Sequence, residues 1–107
     1  MAPGKCASQA GHAYLGAFLS CSDPAAIAAY QSEFPASPGT KVCLKGKNLE
    51  QLLRAEEEAR SAGLPVYRVI DSGCPDFFGG EPIVTALGIG PATKAQIGRI
   101  TRRFQLL

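Results

Sequence analysis

Residues 48–71, NLEQLLRAEEEARSAGLPVYRVID, impose the strongest constraint on what this chain can fold into. Asn48 is a natural N-cap, Gln51 stands three residues on to complete a capping box, and Gly63 supplies a stop. Between them Leu49, Leu52, Leu53, Glu56 and Ala59 keep the helical repeat, apolar except at Glu56. Immediately afterwards PVYRVID reads as a strand ending on an acid, Asp71. A capped helix feeding straight into a strand commits the chain to an α/β architecture.

The flanking sequence extends that pattern. GKCASQAGHAYLGAF opens a helix expected over Lys5–Ser20, with Ala7, Ala10, Tyr14, Ala17 and Phe18 on or near its apolar stripe. CSDPAAIAAYQSEF restarts helix, with Asp23 as N-cap and Pro24 at the first helical position. PASPG is a loop by composition. TKVCLKG alternates Val42 and Leu44 with Lys41, Cys43 and Lys45, as a half-buried strand does. SGCPDFFGGEP is a long punctuated loop, and IVTALGIG is a near-continuous apolar strand suited to a central position. PATKAQIGRITRRF is a final helix with Thr93 and Gln96 as a second capping box, and QLL closes the chain. The order helix, helix, strand, helix, strand, strand, helix predicts one α/β domain over residues 1–107, a small sheet covered by helices.

Composition excludes several classes. A chain of 107 residues buries roughly two-thirds of its extended surface, enough for one core. Charged residues at 19% exclude wholesale disorder, and a net charge of +2 permits a polyanionic partner without announcing one. Cys6, Cys21, Cys43 and Cys74 form no CxxC pair and have no histidine-rich neighbour, so no metal site is expected and buried reduced thiols are. Leu19-Ser20-Cys21 faintly imitates a lipoprotein leader, but Gln9 and His12 interrupt the apolar run before it. No segment approaches the ~20 apolar residues of a membrane span, so no membrane partner is expected and the cytoplasm is the expected address.

Four constellations could carry chemistry. Lys5, Gln9 and His12 fall at i, i+4 and i+7, one row on a helix built otherwise from small residues that allow close approach. Asp71-Ser72-Gly73 ends a strand, the edge where ligands collect in open α/β sheets, although an Asx-turn would read the same. Thr85 precedes Gly88-Ile89-Gly90-Pro91, whose backbone N–H groups could hold an oxyanion or serve only a tight turn. Lys41, Lys45 and Lys47, with Lys94, Arg99, Arg102 and Arg103, form a basic set able to meet phosphates; Lys41, Lys45 and Lys47 alternate onto one strand face.

Taken together, GKCASQAGHAYLGA, TKVCLKGKNLEQLLRAEEEARSAGLPVYRVIDSG and TALGIGPATKAQIGRITRRFQLL resemble the second class of peptidyl-tRNA hydrolases. That family reads G-K-x-A-x-Q-x-x-H-A in its first helix, K-V-V-x-K before its long helix, D-A-G at a strand end and T-x-L-x-I-G-P before its last helix. The resemblance implies hydrolysis of the ester joining a peptide to the 3′ end of tRNA, with no metal or organic cofactor. It implies an α/β sandwich with a mixed sheet, often a homodimer. Lys5, His12 and Asp71 match active-site positions, and Gln9 and Thr85 match their neighbours. With Gly88, Gly90 and Lys45 as further substrate contacts, these residues make up the expected site.

Two departures qualify the resemblance. Family members begin with a strand and an R-x-D-L-x-M segment, whereas Met1 stands here at that methionine, so an internal start or a lost N-terminal strand is expected. The family's threonine after D-A-G is replaced by Cys74-Pro75-Asp76, and Phe77 and Phe78 are expected to pack under the loop rather than stack on a base. A non-catalytic tRNA- or peptide-binding module, and a truncated product without activity, are therefore the alternatives to the enzyme. In the enzyme, Asp71 or neutral His12 would activate water, Lys5 would neutralise the oxyanion or a nearby phosphate, and Gln9 with backbone N–H groups around Gly88 to Gly90 would position the carbonyl.

Overall fold

The computed structural model describes residues 2–32, 38–71 and 83–107, and at Asp71 and Ile83 the backbone alone. Its elements are α1 (Pro3–Ser20), α2 (Pro24–Tyr30), β1 (Leu44–Lys45), α3 (Leu49–Ser61), β2 (Val66–Asp71), β3 (Ile83–Ile89), α4 (Lys94–Thr101) and β4 (Gln105–Leu106). The α/β expectation holds. Where a mixed sheet was implied, both described ladders are antiparallel and two-stranded, β1 with β4 and β2 with β3.

Local signals set most of the helix ends. Asp23 caps α2 by accepting the Ala25 N–H at 3.0 Å, and Thr93 with Gln96 forms the full reciprocal box of α4. At α3 the box is displaced: Asn48 accepts from the Gln51 N–H at 2.9 Å, but the Gln51 carboxamide accepts from Lys47 N–H at 2.8 Å rather than from Asn48. Gly63, at φ +73°, ends α3 in a Schellman motif. Its N–H donates to the Arg60 carbonyl and that of Leu64 to the Ala59 carbonyl, which turns Leu64 into the core.

The buried faces differ from the expected stripes for one reason: close approach selects small side chains. α1 buries Gln9, Ala13, Gly16 and Ala17, while Ala7 is exposed. Tyr14 and Phe18 lie half-buried on the adjacent flank, Phe18 with its ring centroid 6.2 Å from that of Tyr30. Burial, and then Cys43 beside it, push the Tyr14 phenol above its ordinary pKa. In α3 the alanines Ala55 and Ala59 join Leu64, Val66 and Ile100 in the core, and Leu49 and Leu53 are exposed.

The strand expected over TKVCLKG shrinks to Leu44–Lys45, because its partner β4 offers only Gln105 and Leu106. Val42 is exposed rather than buried. Lys41 turns back to the Pro38 and Gly39 carbonyls and lies 5.5 Å over the Tyr30 ring, so Lys41, Lys45 and Lys47 do not share a strand face. The apolar run of β3 has another explanation than a central position. Among the described residues β2 is its one strand neighbour, but helices cover both faces: α1 on one, α3 and α4 on the other.

Candidate active site

The first helix lies across the β2–β3 hairpin, and its small residues make that possible. A Cβ at Gly88 would collide with the Ala13 carbonyl oxygen and crowd the Ala17 methyl. One at Gly16 would enter the ring of Tyr67, the cross-strand partner of Gly88. These contacts fix direction as well as distance. Gln9 meets Thr85, and Ala13 and Ala17 meet Gly88, so α1 and β3 run the same way.

Thr85 reaches α1 through a defect in the ladder. Val69 pairs with Ala86, but Ile70 pairs with Val84, leaving Thr85 without a cross-strand partner. Such a bulge re-aims a side chain. Here the Thr85 hydroxyl donates to the Gln9 carboxamide oxygen at 3.1 Å. Gln9 is one of two buried polar residues among those described, so this bond satisfies an oxygen that burial would otherwise leave costly. Among the described residues no hydrogen bond of the Gln9 NH₂ group is seen, and Gln9 contributes to the wall of a groove.

The other expected site residues fall as follows. His12 is exposed and shares with Gln9 the wall of a groove between α1 and β2. Lys5, also exposed, precedes Gln9 by four residues, or ~6 Å along the helix. Ile83, the partner of Asp71, precedes Thr85 by two residues, or ~7 Å along the strand. Because α1 and β3 run together, Lys5 and the Asp71 backbone lie at the same end of the hairpin. The Cβ side of Gly88 faces α1, and the Gly90 N–H donates to the Pro65 carbonyl at 2.9 Å. Lys45 stands exposed on the separate β1–β4 ladder. Ser72, Gly73, Cys74, Phe77 and Phe78 lie outside the described residues.

The opposite face of the hairpin is held by charge. Glu56, the exception in the α3 stripe, has a side chain only 6% exposed. It receives Arg68 of β2 through both carboxylate oxygens, with Nε at 3.0 Å, and Arg60 at 3.2 Å. The Arg68 hydrogen bonds hold its carboxyl below the usual range, against burial and with help from Arg60. Sequence reasoning missed this clamp. A glutamate on a buried stripe was the signal that a cation had to meet it.

The groove has a volume of about 550 Å³ and is walled by Leu15 and Leu19 of α1 and by Tyr67, Val69 and Ile70 of β2 beyond Gln9 and His12. A larger cleft of about 720 Å³ lies between α2 and the start of α4, away from the polar row, and its carboxylate, Asp23, caps α2. The cysteines among the described residues are free, Cys21 buried and Cys6 and Cys43 half-buried.

The chain is similar over its whole length to known proteins. The family model described as Peptidyl-tRNA hydrolase PTH2 matches residues 1–107. A peptidyl-tRNA hydrolase of Methanopyrus kandleri is 40% identical over 104 residues, covering 97% of this chain and 85% of the relative. One of Halobacterium salinarum is 38% identical, covering 99% and 88%, and one of Metallosphaera sedula 34% identical, covering 100% and 90%. No helix among the described residues is long and apolar enough to cross a membrane. The motifs on α1, β2 and β3 thus sit within a match that leaves no part of the sequence out, and the chain belongs to the peptidyl-tRNA hydrolase PTH2 family.

Proposed function

We propose that this protein hydrolyses the ester between a peptide and the 3′ end of tRNA, with Lys5, His12 and Asp71 as the catalytic set and Gln9 and Thr85 as positioning residues. The observation that carries the reading is the buried Gln9 amide, held by the Thr85 hydroxyl and lining one groove with His12. Family membership and the printed names of the relatives support the reaction.

In this mechanism a water molecule attacks the acyl carbon, and Asp71 or neutral His12 takes its proton. Asp71 ends β2, the strand that walls the groove together with α1. The Gln9 N–H groups position the carbonyl and the Lys5 ammonium stabilises the oxyanion, which collapses by breaking the acyl–oxygen bond. The 3′ oxygen of tRNA leaves with a proton returned by the base. The exposed lysines on and beside β1, Lys45 and Lys47, meet tRNA phosphates. The same reading puts the protein in the cytoplasm and makes a homodimer its assembly, which gel filtration tests.

Deacylation of N-acetyl-aminoacyl-tRNA by this chain is the direct experiment. Lys5→Ala and Asp71→Asn should each lower turnover by about 10²–10⁴-fold with the melting temperature little changed. Unchanged turnover in both variants removes the site assignment. Tight tRNA binding without deacylation by the wild type replaces the enzyme with a binding module.

A further inference from the structure

The row that begins with Lys5 and His12 does not stop there. His12, Leu15 and Leu19 follow at i, i+3 and i+7 along the same flank of α1, so the flank turns from polar to apolar with distance from the Asp71 end. Leu15 is 60% exposed, Leu19 72%, Tyr67 42% and Ile70 56%, and all four wall the groove. Isolated exposed leucines are ordinary, but four large apolar side chains bordering one concavity are a patch.

We infer that this groove is the acyl subsite, receiving the apolar side chains of the peptide residues next to the scissile ester. The inference rests on the hydrolase reading and deepens it. Charge chooses the occupant: no lysine, arginine or carboxylate is among the described residues lining the groove, so it suits the neutral peptide half of the substrate and not the polyanionic half. Length agrees. From His12 to Leu19 is ~10 Å of helix, the span of about three extended residues. A cavity of about 550 Å³ also falls within the ordinary range of small-ligand sites. Leu15, Leu19, Tyr67 and Ile70 are therefore specificity-determining residues, and peptides ending in a large apolar residue are the preferred substrates.

The test uses two uncleavable probes, 3′-(N-acetyl-leucyl)amino-3′-deoxyadenosine and its aspartyl counterpart, titrated calorimetrically into the intact protein. The leucyl probe should bind at least about tenfold tighter, as burial of one aliphatic side chain provides. Leu15→Asn with Leu19→Asn, both at exposed positions, should bring the ratio near one, and Leu19→Lys should tilt it toward the aspartyl probe. Leu107→Asn, exposed at the far terminus, should keep the wild-type ratio. Equal binding of both probes to the wild type, or a preference that survives the double asparagine variant, overturns the assignment. Parallel deacylation of N-acetyl-leucyl- and N-acetyl-aspartyl-tRNA separates the two ideas. Selective binding with no deacylation sinks the hydrolase and leaves the groove; deacylation without selective binding sinks the groove alone.

Discussion

Thr85 donates its hydroxyl hydrogen to the buried carboxamide of Gln9 across 3.1 Å, joining a bulged strand residue to the middle of the first helix. Removing the donor leaves a buried acceptor without its partner. Thr85→Val should therefore lower stability by about 1–2 kcal/mol and, by freeing the Gln9 amide to rotate, lower kcat more than it raises KM. Thr85→Ser, which retains the hydroxyl, should recover most of the activity. Denaturant titration and single-turnover deacylation of the three proteins check both parts, and a valine variant with wild-type kcat would separate Gln9 from the chemistry.

The contact between Gly88 and the Ala13 carbonyl sets how closely α1 approaches the hairpin. Backbone cannot rotate aside as a side chain does, so Gly88→Ala should push helix and strand apart at a cost of about 2–3 kcal/mol. Gly16→Ala meets the Tyr67 ring, which can swing outward because Tyr67 is partly exposed. Its cost should be smaller. Urea midpoints of the two variants decide the order, and equal midpoints would show that the Gly88 approach is not limiting.

How far the sequence reaches depends on the range of the interaction read. Caps are local: Asp23, Asn48 and the Thr93–Gln96 box all form where side-chain chemistry and spacing put them. The α1 stripe was misplaced because Tyr14 and Phe18 are larger than Ala13 and Gly16, yet the hairpin requires the smaller residues beneath it. The polar row was legible as spacing, but the inward turn of Gln9 depends on a bulge, and a bulge is a property of two strands in register. Glu56 was visible as an oddity, and its partner Arg68, twelve residues away on another element, was not. The two-residue length of β1 likewise depends on β4, at the far end of the chain.

Glu56 makes stability depend on acid. Its folded pKa lies below the unfolded carboxylate value, first through the Arg68 hydrogen bonds and then through Arg60. A depressed carboxylate contributes stability above the unfolded pKa and loses it as pH falls through the folded one. Wild type should therefore exceed Glu56→Gln near neutrality by on the order of 1 kcal/mol, a discounted figure because both arginines are substantially exposed. The difference should close as pH drops below the ordinary glutamate range. Glu58, whose pKa Arg103 also lowers, is on the surface, and Glu58→Gln should leave the pH profile nearly as it is. Urea unfolding of the three proteins at several pH values between neutral and acid checks this, and a gap that persists undiminished in acid would assign the Glu56 effect to packing.

Lys45 and Lys47 stand exposed on and beside β1, while Lys41 is engaged by the Pro38 and Gly39 carbonyls and the Tyr30 ring. Each lysine that meets a phosphate releases counterions, so the slope of log affinity against log salt should fall by about 0.7–0.9 per lysine removed. Lys45→Gln with Lys47→Gln should thus flatten tRNA binding to salt and weaken it at low ionic strength, with little dependence on tRNA sequence. Lys41→Gln should change the slope less, because its ammonium is already committed within the protein. Filter binding of uncharged tRNA across a salt series measures all three slopes. A double variant with the wild-type slope would move the polyanion to another face, with Lys94, Arg99 and Arg102 of the α4 end the next residues to neutralise.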